Sequence, residues 1–163
     1  MRLTLVAAMD QNHLIGKDGH LPWPFLPDDH AHVLQLIEGK KTIMGRKSYD
    51  TPDRIWSLAG NIVVTSQENY QVDPGFEVVS GIEEALERYQ DEDEVIILGG
   101  GHLYAATIDQ AECLELTLIH AEYEGDTYFP NIDEQEFELL RREDHASDAE
   151  HAVAFSFLSY QRK

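Results

Sequence analysis

Short apolar runs alternate with amphipathic segments along the whole chain, and no repeat, low-complexity block or linker interrupts them. Leu3 to Ala8 predicts a buried strand. Asp10 to Pro24, punctuated by Gly16, Gly19, Pro22 and Pro24, predicts a long loop. A helix is expected from about Asp28 to Ile37, followed by a strand at Thr42-Ile43-Met44 that runs into Gly45-Arg46-Lys47-Ser48. Asn61 to Thr65 and Phe76 to Val79 have the character of strands. Ile82, Ala85, Leu86 and Tyr89 fall on one helical face. Val95-Ile96-Ile97-Leu98 is a fully apolar strand that stops at Gly99-Gly100-Gly101 and opens another helix. In the last third Leu114 to Ala121 alternates in part, and Phe137 to Leu140 with Val153 to Leu158 predict a terminal antiparallel pair.

Early strands separated by helices, then strands alone, predict an α/β fold with a mostly parallel sheet finished by an antiparallel edge. At 163 residues the chain has the size of one domain, expected to span residues 1–163. Ligands on such sheets bind beyond the carboxyl ends of the strands, which directs attention to the segments after Ala8, Met44 and Leu98.

Charge narrows the partners. There are 31 Asp and Glu against 12 Lys and Arg, a formal net charge of -19. Such a surface repels phosphate backbones and anionic lipids, so neither nucleic acid nor a membrane is an expected partner. The acids are scattered, as in a solvated coat adapted to high salt. The opening Met1 to Asp10 suits a first strand better than a signal peptide, because an acid and polar residues follow its short apolar run. A single cysteine, Cys113, excludes an intramolecular disulfide and fits a reducing cytosol.

Candidate chemistry is concentrated at a few places. In Leu21-Pro22-Trp23-Pro24-Phe25-Leu26-Pro27-Asp28-Asp29, a carboxylate pair follows an apolar stretch at a helix start. Either it caps the helix, or one acid is held against apolar walls where it can recognise or protonate a nitrogen heterocycle. Gly99-Gly100-Gly101-His102-Leu103-Tyr104 exposes backbone N–H groups at a strand-to-helix turn, suited to an anion or simply to the geometry of the turn. Gly45-Arg46-Lys47-Ser48 repeats that arrangement with two cations. The eight histidines lack the spacing of a helical metal site, since His30 and His32 are two apart, and no metal is expected.

Seven segments in order resemble the dihydrofolate reductase family along nearly the whole chain. They are Val6-Ala7-Ala8, Leu14-Ile15-Gly16, Leu21-Pro22-Trp23, Pro27-Asp28-Asp29, Ile43-Met44-Gly45-Arg46, Leu98-Gly99-Gly100-Gly101 with Tyr104, and Glu124 to Pro130. The resemblance implies an eight-stranded, mostly parallel sheet flanked by four helices. It also implies hydride transfer from NADPH to C6 of 7,8-dihydrofolate with protonation at N5, in a cytoplasmic monomer that antifolates inhibit.

The family's pterin-binding acid falls on Asp29 when the register is counted back from Met44-Gly45-Arg46, which leaves Asp28 to cap the helix. From Asp29 the position four on is the apolar Val33, whereas from Asp28 it is His32. Thr117 is implied as the hydroxyl that supports the acid, and Trp23, with Leu21, as the group that orders nearby water. Val6, Ala8, Val33, Leu98 and Tyr104 are implied to line the substrate site, with Arg54 the nearest cation for its tail. Leu14, Ile15 and Gly16 to His20 match a mobile loop over the nicotinamide, and Asp126 the acid that steadies it. Gly99-Gly100 matches a cis peptide. Gly45, Arg46, Lys47 and Ser48, with Thr65, Ser66 and Gln67, match the cofactor's phosphate pocket. Ala8, Leu98, Gly101, His102, Leu103 and Tyr104 complete the implied cofactor contacts.

Two departures stand out. Where the family commonly has an arginine for the substrate's glutamate tail, this chain reads Leu58-Ala59-Gly60-Asn61-Ile62, and losing a charge-assisted bond there costs about 1.5–3 kcal/mol of tail binding. His102 and Ser80 stand where arginine and lysine are common near the 2′-phosphate, which predicts weaker or pH-dependent preference for NADPH over NADH. The competing expectations are a reductase of the same fold acting on a tail-less pterin or a riboflavin-pathway pyrimidine, and a non-catalytic acidic binding protein.

Overall fold

The computed structural model describes every residue from Met1 to Lys163. Ten strands and four helices follow the chain as β1 (Arg2–Met9), β2 (Leu14–Gly16), α1 (Pro27–Ile37), β3 (Lys41–Gly45), α2 (Arg46–Asp50), β4 (Asn61–Val64), β5 (Phe76–Val79), α3 (Ile82–Arg88), β6 (Glu94–Ile97), α4 (Gly101–Thr107), β7 (Cys113–Ile119), β8 (Thr127–Tyr128), β9 (Phe137–His145) and β10 (Phe155–Arg162). Eight strands form one sheet in the order β5-β4-β3-β6-β1-β7-β10-β9, and β2 with β8 forms a separate ribbon. In the large sheet only β10 runs against its neighbours. The α/β class, the eight-stranded mostly parallel sheet and the four helices are as expected.

Burial on both faces explains why the central strands are continuously apolar. Leu5 and Ile97 point into the larger cluster, beside Ile43, Ile62 and Leu114. Their neighbours Val6 and Ile96 point the other way, beneath Val33 and Ile37 of α1. The return of β6 between β3 and β1 places the carboxyl ends of these three strands side by side, which is where open α/β sheets form their ligand crevice.

Several elements differ from expectation. The segment from Asp10 to Pro24 is not one loop. It contains β2, paired with β8, and a tight hairpin in which Lys17 bridges His20 across Asp18 (φ 49°) and Gly19 (φ 81°). The run after Met44 turns at once into the short helix α2. At the far edge β9 extends to His145 and β10 begins only at Phe155 and continues to Arg162. Beyond Phe137, β9 exposes nearly every side chain, so the charged run Arg141 to Asp144 carries no apolar alternation that would betray a strand.

The start of α1 also differs. Leu26 occupies the N-cap, no neighbouring side chain caps it, and Pro27 occupies the first turn. Asp28 therefore lies inside the first turn and not at the cap, where both acids favour the positive end of the helix.

Candidate active site

Of the two acids, Asp28 is exposed and Asp29 turns toward the sheet. Thr117 Oγ1 on β7 donates to Asp29 Oδ1 across 2.6 Å. No protein group donates to the second oxygen, Oδ2, which leaves it free to accept from a ligand. Burial pushes the Asp29 carboxyl above the usual range, while the Thr117 bond and nearby His30 pull the other way. One turn on, Val33 joins Val6 and Ile96, with Leu98 packed against them. An acid with one open oxygen thus faces an apolar wall built from β1, α1 and the end of β6.

The Tyr104 hydroxyl connects this wall to the crevice by donating to the Val6 carbonyl across 2.6 Å. Burial pushes that phenol far up, so it remains a donor. In the crevice the Gly45 N–H donates to the Gly99 carbonyl at 2.7 Å, and the Gly99-Gly100 peptide is cis. A side chain on Gly99 would come within 3.1 Å of both Ser48 Oγ and the Tyr104 hydroxyl, at a backbone φ of +116° that only glycine readily adopts. A side chain on Gly101 would meet Thr127 at 2.9 Å. These glycines leave bare backbone on the crevice floor.

Cations stand at its rim. Nine of the 12 Lys and Arg side chains are ion-paired, Arg46 with Asp50 at 3.0 Å among them. Lys47 has no such partner. Across the β3–β4 side, Thr65 Oγ1 accepts the Gln67 N–H at 3.1 Å, and Ser66 and Gln67 are exposed. His102 is exposed on α4 and Leu103 is buried. Bare backbone, an uncommitted lysine and several hydroxyls form a donor set that fits a phosphate-bearing dinucleotide.

The ribbon closes the third side. Gly16 faces Thr127, and Ile15 and Thr127 both approach Gly101. Asp126 Oδ2 accepts the Asp18 N–H at 3.1 Å, which with the Thr127 hydroxyl holds the Asp126 carboxyl below the usual range. Trp23 is buried against Leu26, Ile119 and Phe155, whereas Leu21 is exposed. Ala8 packs against the same cluster.

Asp10 has a role that its place at the start of an expected loop does not announce. It is completely buried, and its carboxylate accepts three backbone N–H groups, from Asn12 and Leu14 on one side and Tyr123 on the other, at 2.8 to 2.9 Å. One acid thus ties the root of β2 to the turn before β8. The only signal for it is an acid placed directly at the end of an apolar strand.

Arg54 is engaged elsewhere. Its guanidinium lies 4.2 Å from the Tyr49 ring centroid, bonds the Tyr49 carbonyl at 3.3 Å and pairs with Asp73 at 2.6 Å. A separate open groove of about 350 Å³ runs along α1, lined by Leu34, Ile37, Glu38, Trp56 and Leu58 among others, and it contains no cation.

Comparison with known proteins agrees with this architecture. The dihydrofolate reductase family model matches residues 2–162. A dihydrofolate reductase from Bacillus subtilis is 37% identical over 161 residues, covering 99% of this chain and 95% of that protein. A type 3 dihydrofolate reductase from Salmonella typhimurium is 36% identical over 163 residues, covering 100% and 99%. Among solved structures, a dihydrofolate reductase from Enterococcus faecalis complexed with NADP(H) and RAB-propyl superposes with a TM-score of 0.86 at 30% identity, covering 99% of this chain and 96% of that one.

Proposed function

The chain belongs to the dihydrofolate reductase family, NADPH-dependent oxidoreductases that reduce 7,8-dihydrofolate to tetrahydrofolate, and we propose that it performs this reaction as one catalytic unit with Asp29 as the pterin-binding acid. NADPH supplies the hydride that C6 receives. The observation that carries the assignment is the half-satisfied carboxylate: Oδ1 accepts the Thr117 hydrogen bond and Oδ2 has no protein donor, one helical turn from Val33 and its cluster with Val6 and Leu98. A ring N–H and its adjacent amino group present two donors side by side. Asp29 Oδ2 accepts one, and the lone pairs of the Thr117 hydroxyl, whose own proton is already given to Asp29, assist with the other. This fixes the pterin plane against the apolar wall and favours the protonated ring nitrogen.

The other residues hold the reactants in place. Gly45, Gly99, Gly100 and Gly101 offer backbone to the cofactor, with Lys47, Arg46 and Ser48 at its phosphates. Thr65, Ser66, Gln67 and His102 lie toward its adenosine end. Leu14, Ile15, Gly16 and His20 belong to the ribbon and hairpin over the nicotinamide side, braced by Asp126. Trp23 fixes the wall behind the acid, and Leu21 at the surface limits water. Ala8, Leu98, Leu103 and Tyr104 shape the region where pterin and nicotinamide meet.

No helix is long and apolar enough to cross a membrane, and the acidic coat suits a cytoplasmic monomer in a salty interior that neither nucleic acid nor lipid attracts. A substrate with a short or uncharged tail is a second reading, favoured by one observation: the groove along α1 holds Glu38 and no cation.

The test follows NADPH absorbance with dihydrofolate, with and without an antifolate. The expected result is antifolate-sensitive turnover that Asp29→Asn lowers by about 100-fold or more, with little change for Asp28→Asn. The opposite pattern between these two variants would assign the acid to Asp28, and no oxidation with any pterin would remove the activity.

A further inference from the structure

The missing cap of α1 is supplied from 123 residues away. Pro27 has no N–H, so the first free donor of the helix is that of Asp28, and it donates to His151 Nε2 at 3.1 Å. His151 lies between β9 and β10 and is only 2% exposed. Its other nitrogen, Nδ1, stands 2.8 Å from Asp148 Oδ1, and that carboxylate also accepts the backbone N–H groups of Glu150 and His151. Because Nε2 accepts, the ring is the neutral tautomer with its proton on Nδ1, directed at Asp148. The His151 bond is the chief reason the Asp148 carboxyl lies below the usual range.

Packing fixes the ring from the side. His151 lies 5.2 Å from Phe155, which belongs to the cluster of Trp23, Leu26 and Ile119 beneath the start of α1. His145 stacks on Phe155 at 4.9 Å, and the charged groups facing His151 are Asp148 and the Asp28 carboxylate, 3.8 Å from Nε2. The ring therefore stands between two acids with one acceptor nitrogen committed to the helix. The next residue after the bonded N–H is Asp29.

We infer that His151 is a positioning residue for the active-site acid: by accepting the Asp28 N–H it fixes the first turn of α1 and so holds Asp29 against Thr117. The inference rests on the reading of Asp29 as the pterin-binding acid. Glutamine at 151 can keep an acceptor for the Asp28 N–H, whereas phenylalanine keeps the packing and removes the acceptor.

The experiment compares His151→Gln, His151→Phe and Asp148→Ala with the parent, by steady-state kinetics and by carboxyl NMR titration of Asp29. His151→Phe is expected to lower kcat for dihydrofolate by about tenfold while leaving the KM for NADPH unchanged. The Asp29 titration should move down toward the ordinary aspartate range as water reaches the loosened turn. His151→Gln should restore both to near the parent. Asp148→Ala, at an exposed position, should move the titration in the same direction by freeing the ring to change tautomer. An Asp29 titration unmoved in both His151→Phe and Asp148→Ala would overturn the proposal, as would His151→Gln behaving like His151→Phe. Retained activity in Asp29→Asn would instead remove the acid's role in the reaction, and the titration would still decide whether His151 positions it.

Discussion

The Thr117 hydroxyl donates a hydrogen bond to Asp29 Oδ1 across 2.6 Å, from the interior strand β7 to the third residue of α1. This bond opposes the burial that raises the Asp29 carboxyl, and burial prevails. Holding the carboxylate in its charged form therefore comes at a cost to the fold. A raised native pKa means that the native state binds more protons than the unfolded chain between the two values. The group's contribution to stability is then fully present below the unfolded pKa and lost as pH rises through the native one.

Asp29→Asn removes that cost along with the activity. The variant is expected to melt above the parent at pH 8, with the difference shrinking as pH falls and closing below about pH 4, where an ordinary aspartate is also protonated. Thermal melts at matched ionic strength across this window check the sign. A variant less stable than the parent at pH 8 would mean that the carboxylate is held by more favourable bonds than the one from Thr117.

Thr117→Val keeps the shape of the side chain and removes the donor. A hydrogen bond to a charged group is worth about 1.5–3 kcal/mol, so kcat/KM should fall by about 10- to 100-fold, and Thr117→Ser should recover most of it. Since the Thr117 bond lowers the Asp29 pKa, its loss should move the apparent pKa in the pH profile of kcat/KM upward. A profile that stays in place or moves down would separate Thr117 from the acid.

The order of these groups along the chain was legible because their constraints are local. Gly99 needs a positive φ with no room for a side chain, and Val33 must share a helical face with Asp29, so residue type alone marks both. The short pieces were harder. Asp18-Gly19 is a strong hairpin signal, both residues having positive φ, yet the prolines and glycines around it suggested only a loop. β2 and β8 have three and two residues, too few for any periodicity to register. His151 was invisible for a different reason: a cap supplied by tertiary packing leaves no trace in the residues next to the helix.

The groove along α1 offers a substrate's acidic tail no cation. Arg54 is held by Asp73 and the Tyr49 ring, and Leu34, Trp56 and Leu58 present apolar surface with Glu38 as the charged group. A tail carboxylate gains no charge-assisted bond there. Removing the glutamate tail from the substrate should therefore change kcat/KM only a few-fold. Ala59→Arg should lower the KM for dihydrofolate by about tenfold, the value of one such bond, and leave a tail-less dihydropterin unaffected. An equal effect on both substrates would mean that the cation acts on the whole surface rather than on the tail.

Salt should stabilise the fold. Nine of 12 cations are already paired, so most of the 31 acids have no partner and repel one another across the surface. Raising ionic strength from 0.1 M to 1 M shortens the screening length from about 10 Å to about 3 Å. That weakens repulsion between many distant like charges more than it weakens pairs in contact. The melting temperature in potassium chloride is therefore expected to rise steeply up to about 1 M and then flatten, since screening below the spacing of neighbouring charges adds little. Sodium chloride should match potassium chloride if screening is the cause. A melting temperature that is flat or falls with added salt would show that the surface pairs, not the unpaired acids, dominate the balance.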